Sequence, residues 1–122
     1  PEREVLSDAY AFTLGKTWQR LADLPNPCAA APSPCPQLGD DILIISGDDG
    51  KLAGKVEASK HPGFSPQILA YHRTQNTWST QGNGSCALLT TGCTKWQEGF
   101  AIVNGETRPC ARSPEGWLIR PA

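Results

Sequence analysis

Residues 28 to 48 align without a gap on residues 86 to 106, an internal repeat at an offset of 58 in a chain of 122 residues. In one copy Cys28-Ala29 and Cys35 lead to Ile42-Leu43-Ile44-Ile45-Ser46-Gly47-Asp48; in the other Cys86-Ala87 and Cys93 lead to Phe100-Ala101-Ile102-Val103-Asn104-Gly105-Glu106. That spacing is too long for stacked helical hairpins and suits a repeated four-stranded sheet. The 12 Gly, 11 Pro and absence of Met point the same way, to short strands joined by turns.

The match continues past the acids. Pro62-Gly63 and Ser65-Pro66-Gln67 answer Pro109-Cys110 and Ser113-Pro114-Glu115, and each is followed by an apolar strand, 68 to 72 and 117 to 120, with 9 to 12 as an earlier counterpart. Gly15-Lys16-Thr17-Trp18 and Gln75-Asn76-Thr77-Trp78 are hairpin turns leading into strands that begin with Trp. The resulting unit predicts an all-β fold, a partial β-propeller of about two and a half four-stranded antiparallel blades. Its divisions are 1–25 as the end of one blade, 26–84 as a complete blade, and 85–122 as the first three strands of the last. Ala29, Ala30 and Ala31 suit the crowded innermost strand, and Trp18 and Trp78 suit outer packing positions.

With Ser46-Gly47 and Asn104-Gly105 closing apolar strands, Tyr71 in the next strand and Trp78 leading another, the chain resembles a kelch repeat. More narrowly, Asn104-Gly105-Glu106, Arg108-Pro109 and Arg112 resemble the Asn-Gly-Glu, basic-Pro-Gly, Arg segment of N-acetylneuraminate mutarotases and their cyclically permuted relatives. The resemblance implies a C-terminal fragment of a six-bladed propeller. It further implies an isomerase that interconverts anomers of a sialic acid-like carbohydrate, with Glu106 and Arg112 as the catalytic pair, no cofactor, and a periplasmic or secreted location. The fragment alone is expected to be inactive, its exposed edges awaiting the remaining blades or another copy. A noncatalytic kelch module that binds protein or glycan through its loops is the alternative.

Mutarotation takes a proton from the anomeric hydroxyl and gives one to the ring oxygen, work a carboxylate such as Glu106 can do as base and then acid. The planar fork of Arg112 can hold a substrate carboxylate in two parallel hydrogen bonds. Asp48 stands at the position equivalent to Glu106, and Asn104, Arg108 and His61 in adjoining loops complete the candidate substrate-binding set. A solvated ion pair between Glu106 and one of the arginines is the plainer reading of the same residues. Two departures from the first copy fall here: Cys110 replaces Gly63, at a position suited to a positive φ, and Arg112 is inserted.

A net charge of −1 with scattered Lys and Arg gives no footprint for nucleic acid. No apolar run approaches the roughly 20 residues that cross a bilayer. Five cysteines without a Cys-x-x-Cys, and only His61 and His72, give no zinc pattern. Cys28, Cys35, Cys86 and Cys93 therefore read as small hydrophobes at matching buried strand positions, with disulfides between blades as the minority alternative. The stretch 47 to 51 lacks the alternating oxygen ligands of a calcium loop, and Asn83-Gly84-Ser85, although a glycosylation triplet, reads first as a hairpin turn.

Overall fold

The computed structural model describes residues 3–85 and 87–120, so Cys86 lies outside the described residues. Among them the chain forms eleven strands and one 3-10 turn, Ala58–Lys60. A short hairpin, β1 (Tyr10–Ala11) with β2 (Gln19–Arg20), comes first. An antiparallel meander of four strands follows: β3 (Gln37–Leu38), β4 (Asp41–Ile45), β5 (Gln67–His72) and β6 (Thr77–Asn83). In the three-stranded sheet β8 (Gly99–Val103) lies between β7 (Cys93–Trp96) and β11 (Gly116–Ile119). A small ribbon of β9 (Glu106–Arg108) and β10 (Ala111–Arg112) stands apart.

Hydrophobic residues decide how the two larger sheets sit. Ile45 of β4, Leu88 of the connecting loop, Cys93 of β7 and Ile102 of β8 form the buried core, with Leu43, Ile68, Phe100, Trp117 and Ile119 packed around it. The β-branched and aromatic side chains along β4, β5 and β8 fit a pleated, half-buried surface. On the other side of the four-stranded sheet, Tyr71 stacks on Trp78 with ring centroids 4.9 Å apart, and the Trp78 indole N–H donates to Ala22 O at 2.8 Å.

This architecture corrects the expected one. The four antiparallel sheets are separate and unclosed, with two to four strands each, and none is curled into a propeller blade. The all-β partial kelch-type propeller is therefore overturned, and with it the kelch and mutarotase resemblance as a guide to the fold. Proline gives the physical reason. Pro32, Pro34 and Pro36 follow directly on the small-residue innermost strand expected at Ala29, Ala30 and Ala31, where a residue without an N–H cannot extend a ladder, and Ala30 itself has a positive φ of 56°. Ala29 consequently makes only an isolated bridge, to Asp48, and the first ladder strand of the meander is the two-residue β3. Trp18 does not serve as a packing residue either: it is 67% exposed, resting on Phe12 at 5.0 Å.

Candidate functional site

The turns that carry Asp48 and Glu106 share one local geometry. Ser46 and Asn104 have φ of 64° and 62°, and Gly47 and Gly105 follow at 128° and 114°. Glycine is required at the second position, because L side chains rarely adopt that region. The amide of Ser46 donates to Gln67 O and that of Asn104 to Glu115 O, each at 2.9 Å. After each turn the acid exchanges a pair of backbone hydrogen bonds with a distant residue: Asp48 with Ala29 at 3.0 and 2.9 Å, Glu106 with Leu89 at 2.9 Å both ways. The acids are thus 58 residues apart but their partners 60, so the gapless alignment slips by two residues in space. The likeness stops at these turns, since the sheets around them differ in strand number and carry no repeat architecture.

Between the two turns runs a cleft. Its Ala30 and Thr90 are held together by the Thr90 amide donating to Ala30 O at 3.0 Å, and just beyond them the Ser33 amide reaches Thr91 O at 3.2 Å. The cleft has a volume of about 640 Å³, within the range of small-ligand sites. Among the described residues Val5, Leu6, Ala29, Phe64, Leu89 and Pro109 supply apolar lining, while Glu4, Asp8, Asp48 and Glu106 line it with four carboxylates and Arg3 with one guanidinium. Oδ1 of Asp48 accepts from the Gly50 amide at 2.9 Å, which fixes the carboxylate in its turn. Among the described residues no three His, Cys, Asp or Glu side chains are grouped closely enough to hold a metal ion.

Glu106 is ion-paired with Arg112 across β9 and β10 at 3.6 Å, with the arginine side chain 60% exposed. Such a pair is worth less than about 1 kcal/mol. Arg108 turns away, donating to Ser59 O at 3.0 Å. Asn104 is exposed and contributes its backbone to the turn. His61 is buried and stacks on Phe64 at 5.2 Å, with Nδ1 accepting from the Gly63 amide at 3.2 Å. It lines a smaller cavity of about 360 Å³ that Asp48 also borders. Asp48 and Glu106 therefore meet on one cleft, Arg112 joins through Glu106, and Arg108, Asn104 and His61 lie outside the cleft lining. Cys110 adopts the positive φ, 63°, that its glycine counterpart suggested.

Two partly buried thiols, Cys28 and Cys35, also lie in this part of the chain. Burial pushes Cys28 up to about 11 and raises Cys35 as well, so both remain protonated near neutral pH. At the edge of the cavity beneath Ser46, the Lys51 ammonium hydrogen-bonded to Asp49 holds that carboxyl below its usual range.

A third constellation was not foreseen from sequence. Asp41, His72 and Ser79 come from three consecutive strands of the meander and lie on one face of it. His72 Nδ1 is 2.6 Å from Asp41 Oδ1, and its Nε2 is 2.7 Å from Ser79 Oγ. The Gln81 amide also donates to Ser79 Oγ at 2.7 Å. The three residues are 31 and 7 positions apart, and only strand register brings them together; the sequence signal was merely a His at the end of an apolar strand.

No protein-family model matches the chain, and no curated protein matches it. The expected sialic acid mutarotase loses its basis on these findings. Acid/base ring opening by Glu106 and Arg112 relied on loops from successive blades converging at a channel mouth, and four unclosed sheets provide no such ring. The assignment as a mutarotase-like isomerase, the noncatalytic kelch alternative, the carbohydrate substrate, and the missing blades or second copy as partners all derived from that propeller, and they fall with it.

Proposed function

We propose that this domain is a binding module whose cleft between the Asp48 and Glu106 turns takes a small organic cation, an amine or guanidinium on an apolar body. One observation carries the reading: both turn acids, with Glu4 and Asp8, line a single cleft of about 640 Å³ whose remaining walls are largely apolar. A concave apolar site with a few convergent polar groups is the usual form of a small-molecule site. Opposite charge then selects the ligand, because a cation gains from several carboxylates while an anion of the same shape meets repulsion.

Benzylamine and benzoate, alike in shape and opposite in charge, provide the test. In an NMR titration benzylamine shifts the amides of Ala29, Ala30, Leu89 and Thr90, and benzoate leaves them in place. The double variant Asp48→Asn, Glu106→Gln loses the response. Equal shifts from both ligands, or shifts confined to other residues, would sink the proposal.

Arg112 has a defined part in this reading. Its guanidinium competes with the ligand for Glu106, so Arg112→Ala is expected to tighten benzylamine binding by about two- to fivefold, the range set by an exposed ion pair. Weaker binding in this variant would show that Arg112 supports the site instead of competing for it.

A further inference from the structure

The arrangement of Asp41, His72 and Ser79 has the connectivity of a nucleophile, a base and an orienting acid. We propose that Ser79 is a base-activated nucleophile, a site of covalent acylation by soluble activated acyl donors such as aryl esters. Three features of the geometry support it. Ser79 Oγ lies within hydrogen-bond reach of a ring nitrogen, 2.7 Å from His72 Nε2, which is the separation a general base needs. The second ring nitrogen is engaged by Asp41 Oδ1 at 2.6 Å, so with Nδ1–H donating to the carboxylate, Nε2 is left as the acceptor facing the hydroxyl. The side chains of His72 and Asp41 are 26% and 38% exposed, which leaves the group open to a reagent from solution.

The sheet makes this geometry rigid. Asp41 and His72 are direct cross-strand partners, and Ser79 sits diagonally across from His72, opposite Ala70. The Gln81 amide holds the serine oxygen from another side, so the hydroxyl proton points to the imidazole and a lone pair remains for attack. None of the cavities described above is lined by Ser79 or His72. The acyl donor is accordingly selected by its chemistry, not its shape, and the product is one acyl group per chain.

In the reaction Ser79 Oγ forms a bond to the acyl carbon, and the bond from that carbon to the departing phenolate oxygen breaks. The hydroxyl proton passes to His72 Nε2 and then to the phenolate. Acylated Ser79, free phenol and neutral imidazole remain, with no oxidant, reductant or metal consumed. Asp41 acts through His72 as a positioning residue, fixing the tautomer and stabilising the transient imidazolium.

The protein is treated with p-nitrophenyl acetate and the acetyl group is located by peptide mass spectrometry. Ser79 is expected to label about a hundredfold faster than Ser113, the scale of assistance by a positioned base. Ser79→Ala abolishes this label, and His72→Gln reduces it to the Ser113 rate. Asp41→Asn slows it and removes the low-field proton resonance of His72 Nδ1–H. Unfolding the wild-type chain in urea brings Ser79 down to the Ser113 rate, a comparison that needs no variant to fold. Acetyl groups found only on lysines, or Ser79 labelling that is unchanged by His72→Gln or by urea, would overturn the proposal.

Discussion

Ile102→Ala is expected to lower the stability of the domain by about 2–5 kcal/mol, the cost of removing a large aliphatic side chain from a core that cannot fully close around the gap. Ile102 has no exposed surface and is shared by both larger sheets: it pairs with Cys93 and Trp117 in its own sheet and joins Ile45 of the other in the buried cluster. A typical domain has only about 5–15 kcal/mol to lose, so the shift in a urea unfolding curve should be large. Leu118→Ala is the matched control, because that side chain lies on adjacent β11 but is 45% exposed; it should cost less than about 1 kcal/mol. Equal losses in the two variants would mean that the core does not lie between these sheets.

Gly105→Ala is expected to disrupt the turn that presents Glu106. The backbone there has φ of 114°, and a Cβ would lie 2.9 Å from Leu89 O, 3.1 Å from Thr91 Cγ2 and 3.2 Å from Leu88 Cβ. The conformational cost is about 1–3 kcal/mol, and it is increased by pushing on the backbone that bridges Leu89 to Glu106. Gly116→Ala is the comparison, since its Cβ meets Val103 Cγ2 at an ordinary 3.7 Å without a positive φ. Thermal unfolding should fall by several degrees for Gly105→Ala and change little for Gly116→Ala. In the former, the amide signals of Leu89 and Glu106 should move. If both variants melt together and the Leu89 signal stays in place, the turn does not constrain the cleft.

These two positions also show how far local signals reach. The Gly-acid turns were legible because the requirement for Gly47 and Gly105 is local, written in two backbone angles. The cysteine at 110 was expected to change the loop or weaken the site, because a side chain disfavours the positive φ of its counterpart Gly63, yet Cys110 keeps a positive φ. The apolar strands 42–45, 68–72 and 100–103 are found inside β4, β5 and β8, and 117–120 overlaps β11, which ends at Ile119, because uninterrupted β-branched and aromatic runs have few other ways to bury themselves. No strand forms at 29–31, where Ala30 has a positive φ and Pro32, Pro34 and Pro36 directly beyond remove ladder donors, a conflict already present in the sequence.

What the sequence by itself determined was the placement of the long apolar strands and of two similar acid-bearing turns, since hydrophobic runs and glycine torsions act over a few residues. Only the tertiary structure decided that the sheets stay separate and unclosed, because closure depends on how many strands pair across long separations. It also decided that Asp48 and Glu106 share one cleft and that Asp41, His72 and Ser79 form a chain of hydrogen bonds. Both depend on the register between distant strands, which a one-residue slip would reverse and which no local stretch of sequence encodes.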